Sequence, residues 1–201
     1  MSVYTYIITR DYGFAPNPFH RMCTLATCKP RIRKSAQIGD WVVGFGSAST
    51  KWKNKIIYAM LVEKKVSFDT YWNDPVYKCK KPVVNGSLKQ NYGDNIYHKV
   101  NGIWVQANSH HSKDDGTTNE YNLKRDTQFD SVLISSTYWY FGKEAVNIPQ
   151  NLKEIIPSGR GHRIFTGYDE QLLEWLSSLD ENGYIGEPAK FEKFERYDGI
   201  H

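Results

Sequence analysis

Ile38-Gly-Asp-Trp-Val-Val-Gly-Phe-Gly-Ser47 is followed, after a polar gap, by Ile56-Ile-Tyr-Ala-Met-Leu-Val-Glu63. The first stretch turns at Gly39-Asp40 and then predicts a strand over Trp41 to Phe45. The apolar run Ile56 to Val62 predicts the next strand. Gly44 and Gly46 leave two side chains out, which admits a ligand, a second backbone or a bulge. Outward from this pair, Val3 to Ile8 predicts an N-terminal strand. Pro30 to Ile38 predicts a short helix with proline in its first turn and Gly39 as the stop. Phe68 to Asn73 is a short turn or helix. Tyr97 to Val105 is a hairpin, because Asn101-Gly102 supplies the two positive-φ positions of a type I′ turn. Ala107 to Gln128 is polar and reads as a loop. Ser131 to Ser135 and Thr137 to Phe141 are strand-like, and Pro149 to Ile156 is a short helix. Tyr168 to Leu179 carries an apolar face of Leu172, Leu173, Trp175, Leu176 and Leu179 and predicts the best helix. This order is α+β, with a mostly antiparallel sheet or small barrel and peripheral helices. No G-x-G-x-x-G or Walker loop is present, which argues against a doubly wound nucleotide-binding fold.

The chain has 201 residues, enough to bury a core without a metal or disulfide staple. Its three cysteines, an odd number, exclude a full disulfide framework and suggest a reduced, cytoplasmic protein. No apolar run reaches membrane length, and Met1 to Ile8 lacks the marks of a secretory signal. Aromatic residues make up 14% of the chain. Residues 1–113 hold 17 Lys and Arg against 6 Asp and Glu, a net of +11; residues 114–201 hold 9 against 16, a net of −7. A basic, aromatic-rich N-terminal part suits a nucleic-acid partner: charge for phosphates, rings for bases.

Four segments stand apart from ordinary scaffold. They are Ile8-Thr-Arg-Asp-Tyr-Gly-Phe-Ala-Pro-Asn-Pro-Phe19, Cys23-Thr-Leu-Ala-Thr-Cys-Lys-Pro-Arg-Ile-Arg33, Ile38 to Ser47, and Val132 to Gly142 followed by Gly159-Arg-Gly-His-Arg163. Together they resemble the second of the nucleotide-modification-associated domain families, over roughly residues 3–187. Residues 188–201 then form a C-terminal tail. That resemblance implies a bacterial or phage setting linked to modified DNA bases. The Gly-Asp turn, its strand and the outgoing strand are also similar to PUA-like barrels of the EVE and ASCH type. That similarity implies a small mixed or antiparallel barrel with a base held beside the N-terminal strand.

The long connection after the first strand is the leading candidate site. Tyr12, Phe14, Phe19, Trp41 or Trp139 offers a ring for a base. Asp11, Asn17 and Arg10 offer polar contacts to it, and Gly44, Gly46 and Ser47 form the wall. Lys29, Arg31, Arg33, Arg160 and Arg163 suit phosphates. In an enzymatic alternative, a base-modifying transferase or glycosidic-bond hydrolase acting on nucleotides or DNA bases, Asp11 is the general base and His162 or Arg163 steers the leaving group. Weaker readings give zinc to His20, Cys23 and Cys28 with Cys79 or His98, pair Cys23 as nucleophile with His162, or give a metal to His110, His111, Asp114 and Asp115. No cofactor is expected. The expected partner is nucleic acid, DNA ahead of RNA, or a free nucleotide. A protein-interaction module in a defence operon is the third reading.

Overall fold

The computed structural model describes residues 1–159, 161–179 and 182–200. In chain order its elements are β1 (Ser2–Ile8), β2 (Cys23–Leu25), α1 (Pro30–Ser35), β3 (Trp41–Gly46), β4 (Lys55–Leu61), β5 (Lys64–Val66), α2 (Phe68–Asn73), α3 (Leu88–Asn91), β6 (Tyr97–Val100) and β7 (Ile103–Gln106). There follow α4 (Glu120–Asp126), β8 (Val132–Ser135), β9 (Tyr138–Tyr140), β10 (Val146–Asn147), β11 (His162–Thr166), α5 (Asp169–Ser177) and β12 (Gly183–Tyr184). Short 3-10 helices at Pro75–Lys80, Gly142–Glu144 and Gln150–Ile155 complete the set.

The main sheet runs β11-β1-β3-β4-β9-β12, with β10 continuing the edge of β4. Its order has two ends, so no closed barrel forms. The sheet is mixed, because β1 lies parallel to β3 and β12 parallel to β9. A second sheet, β2-β8-β5, shares a core with the first: Cys23, Leu25 and Leu133 pack with Tyr6, Val42 and Tyr58.

Strand alternation explains the aromatic run at β9. Tyr138 and Tyr140 turn toward the second sheet, while Trp139 joins Trp41, Leu172 and Leu176 on the opposite face. Helix α5 therefore covers the second pair of rings, and Trp41 and Trp139 are core residues. The predicted hairpin forms as β6 and β7, with φ of 52° at Asn101 and 80° at Gly102.

Gly44 and Gly46 are tightly packed. A Cβ on Gly44 would stand 2.4 Å from Ile8, and one on Gly46 would stand 2.1 Å from the backbone oxygen of Trp52. A backbone oxygen held by its own loop cannot retreat as a side chain can. We expect Gly46→Ala to destabilise the fold by about 1–3 kcal/mol in urea unfolding. An unchanged midpoint would show that the loop after β3 is free to move.

The polar stretch Ala107 to Gln128 differs from the loop expected of it. It contains α4, whose N-cap Asn119 accepts from the Asn122 N–H. Helical periodicity is silent here because two of the inward residues, Asn122 and Asp126, are polar.

Candidate functional site

A cavity of about 250 Å³ opens where β1 ends. Its walls come from Tyr6 to Arg10, Tyr12 and Phe14, from Cys28 and Lys29, from His110 and His111, and from Arg125 and Tyr197. Five separate segments of sequence thus meet at one point. Lys29 lies 4.5 Å from the centre of the Tyr6 ring, and Arg10 lies 4.8 Å from that of Tyr197. Three cations, Arg10, Lys29 and Arg125, line the cavity together with the faces and edges of four aromatic rings.

The chain around Cys28 is shaped for this position. Cys28 and Lys29 both take left-handed φ, 56° and 39°. Two such non-glycine residues in succession cost on the order of 1–2 kcal/mol each. The turn is held on both sides. The Cys28 N–H donates to Asp126 Oδ1 at 3.0 Å, and the Arg33 Nε–H donates to the Cys28 carbonyl at 2.9 Å. Arg33 also donates to the carbonyls of Asp126, Phe129 and Ser131. Its guanidinium is fully buried, so Arg33 braces this turn and cannot meet a phosphate.

Asp126 is the hub beneath the cavity. It is completely buried, and its carboxylate accepts from the Cys28 N–H, the Arg125 Nε–H, the Tyr97 hydroxyl and the His111 Nδ1–H. A carboxylate oxygen only accepts, so the 2.9 Å contact makes His111 Nδ1 the donor and turns Nε2 outward. Nε2 stands 3.8 Å from Cys28 Sγ, and Arg125 Nη2 stands 3.9 Å from the same sulfur. Gln106 and Asn122 both donate to the His111 carbonyl and fix its backbone.

The charges in this group settle one another. Burial alone would raise the Cys28 thiol, but the charge and hydrogen bond of His111, helped by Arg125, bring it below its ordinary value. Burial would lower His111, yet Asp126 and Cys28 outweigh it and raise the imidazole to about 9. Burial would raise Asp126; the charges of His111, Arg125 and Arg33 hold it well below the usual carboxylate range. Each of the three shifts is toward the charged form of its group.

The residues expected at the site divide into two groups. Arg10, Tyr12, Phe14 and Lys29 line the cavity. Asp11 does not. Its carboxylate is buried and accepts from the Tyr140 hydroxyl, the Gly13 N–H and the Ala189 N–H. Asp11 borders a separate cavity of about 170 Å³ with Ile8, Gly46 and Trp52. Asn17 donates to the Tyr92 carbonyl and accepts from the buried Lys80 ammonium at 2.6 Å. Phe19 packs on Tyr184 and Phe191. Ser47 shares a hydrogen bond with Ser49. Arg31 is exposed beside β11, where Arg163 donates to the Ser158 and His162 carbonyls. Burial and the charges of Arg31, Arg163 and Lys29 lower the pKa of His162. Arg160 lies outside the described residues. Cys23 is buried in the sheet core, and burial pushes its thiol far up, opposite to what a nucleophile needs. Among the described residues no three His, Cys, Asp or Glu groups are placed to hold a metal ion.

The tail lies across the mouth of the cavity. The Tyr12 hydroxyl donates to Glu195, the Lys190 N–H donates to the Asp11 carbonyl, and the Tyr197 N–H donates to the His110 carbonyl at 2.7 Å.

This is an α+β protein whose open mixed sheet presents a cationic, aromatic cavity floored by a Cys-His-Asp cluster. The chain belongs to the family described as nucleotide modification associated domain 2, whose model matches residues 1–195. No curated protein and no solved structure matches it. No helix among the described residues is long and apolar enough to cross a membrane.

Proposed function

We propose that the cavity at the end of β1 binds a nucleotide-class ligand, with a base, modified in the leading case, against Tyr6, Tyr12 and Phe14. Arg10, Lys29 and Arg125 hold its phosphate. The observation that carries this reading is the convergence of three cations and four rings on one cavity, in a chain of a nucleotide-modification-associated family. Planar rings supply stacking worth ~1–3 kcal/mol per base, and cations supply charge-assisted hydrogen bonds. The Asp126 carboxylate beneath the cavity is met by its own donors, among them His111 and Arg125, and so does not offset Arg10 and Lys29. Arg31 and Arg163, whose charges meet at His162 with that of Lys29, extend the basic surface beyond Lys29, which suits neighbouring phosphates of a strand, DNA ahead of RNA. A reducing, cytoplasmic setting suits three free cysteines.

Calorimetric titration tests this with nucleoside 5′-monophosphates, the matching nucleosides and short single-stranded oligonucleotides at two salt concentrations. Monophosphates are expected to bind at least ~10-fold more tightly than nucleosides, and Arg10→Ala to lose most of that difference. Oligonucleotide affinity is expected to fall steeply with salt. No binding by any of these at low salt overturns the reading.

A further inference from the structure

We propose that Cys28 is the nucleophile of a thiol acyl-transfer centre, with His111 as its acid and base and Asp126 as the residue that positions the imidazole. The proposal takes its substrate, a carbonyl-bearing group on a nucleotide, from the nucleotide reading above.

The geometry separates Cys28 from the other two cysteines. Cys23 is sealed in the core, and Cys79 is exposed with its Sγ toward the Val76 carbonyl. Cys28 lines a cavity, faces an imidazole nitrogen and is held by a strained turn that an ordinary structural thiol would not need. A nucleophile, a base in reach of it and a third group orienting the base are the arrangement of covalent catalysis, and such contacts are often looser before substrate binds. The group does not depend on Asp11 or on His162.

The chemistry balances with water as the only co-reactant. The Cys28 thiolate attacks the carbonyl carbon of an amide or ester and forms a carbon–sulfur bond. The oxygen takes up the electron pair, and Arg125 and Lys29 lie in the same cavity to stabilise it. As the carbonyl re-forms, the bond to the amine or alcohol breaks, and the His111 Nε2 proton goes to that leaving group. A thioester on Cys28 and neutral His111 remain. Neutral His111 then takes a proton from water as the water oxygen attacks the thioester carbon. The carbon–sulfur bond breaks, releasing a carboxylic acid and restoring thiolate and imidazolium. The net reaction is hydrolysis, with no oxidant or reductant.

The unmodified protein provides the first test, because Cys79 serves as an internal control. Iodoacetamide at pH 6, with peptide mass spectrometry, is expected to label Cys28 at least roughly tenfold faster than Cys79. p-Nitrophenyl acetate is expected to leave an acetyl group on Cys28 with a burst of p-nitrophenolate. His111→Asn is expected to slow that acetylation by ~100-fold or more with the circular dichroism spectrum retained. His111→Asn removes the charge and hydrogen bond that lower the Cys28 thiol and is expected to move the midpoint of the labelling pH profile upward by about a unit or more, which a purely structural role would not do. Labelling of Cys28 no faster than Cys79, or absence of the acetyl adduct, overturns the proposal. Protection of Cys28 by nucleoside monophosphates supports both readings. An acetylated Cys28 that no nucleotide protects upholds the thiol centre and overturns the nucleotide reading alone.

Discussion

Asp126→Ala is expected to cost about 3–5 kcal/mol of folding stability, on the order of 10 °C in Tm. The substitution removes a side chain that is wholly buried and accepts four hydrogen bonds. It leaves an imidazolium and two guanidinium groups, of His111, Arg125 and Arg33, without the negative charge that faces them. It also frees the left-handed turn at Cys28, whose N–H donates to the lost carboxylate. A cavity term adds little, since the side chain is short; the loss comes from stranded donors. Urea unfolding monitored by tryptophan fluorescence measures the effect, with an unchanged slope showing that the transition stays two-state. A loss under about 1 kcal/mol would mean that water reaches the cluster and screens it, contrary to its burial.

The role of Asp126 was not visible in the sequence, and the reason is physical. Cys28 and His111 are 83 positions apart, and His111 and Asp126 are 15 apart. No periodic pattern links them, and only the folded chain does. The stretch that carries two of the three is rich in Ser, His, Asn and Asp, the composition of a solvated loop. Yet Ser109, His110, His111, Ser112, Asn122 and Asp126 are all buried. Their hydrogen bonds to one another replace those to water, as with Ser112 on the Ser109 N–H and Asn122 on the His111 carbonyl. Composition reports what a residue prefers singly, not what a network satisfies.

The long connection Arg10 to Phe19 was legible because it follows a strand and mixes rings with glycine and proline. Tyr12 and Phe14 do reach the cavity. Asp11, Asn17 and Phe19 from the same stretch turn away from it, because backbone direction alternates within a bent loop and sequence alone does not give its phase. The strands at Trp41 and Ile56 were legible from their β-branched content, and the hairpin from Asn101-Gly102. The parallel pairing of β1 with β3 was not, since register and direction are set by the crossover between them.

The two neighbouring histidines are expected to contribute opposite pH slopes to the stability of this protein, one on each side of pH ~6–7. In the fold His111 is raised to about 9 by Asp126 and Cys28 against the opposing effect of burial. An unfolded histidine titrates near ~6.5. Between those values the folded chain binds the extra proton. The stability His111 contributes is therefore complete below ~6.5 and is lost as pH rises through about 9, an effect of order 3 kcal/mol at most. His110 behaves in reverse. Burial, then the charge on His111, lowers it to about 3, while its Nδ1–H donates to the Glu195 carbonyl. It packs against the rings of Tyr12, Phe14 and Tyr92. Below ~6.5 the unfolded chain binds the proton that folded His110 refuses, so stability falls as pH drops toward 3. Asp11 and Asp94, raised chiefly by burial, oppose this acid slope, and Asp126 reinforces it, while Cys28, held below its ordinary value, and Lys80, lowered by burial to about 8, oppose the alkaline slope. The effect is therefore read as a difference between proteins. Urea midpoints of the parent chain, His110→Asn and His111→Asn are compared from pH 4 to pH 9, the asparagine amide replacing each Nδ1–H donor without a charge. His111→Asn is expected to flatten the alkaline limb and, by removing a charge that lowers His110, to ease the acid limb in part, whereas His110→Asn flattens the acid limb and leaves the alkaline one. Parallel curves for all three chains would mean that neither imidazole is held away from its ordinary titration, and that the cluster at Cys28 is electrostatically neutral.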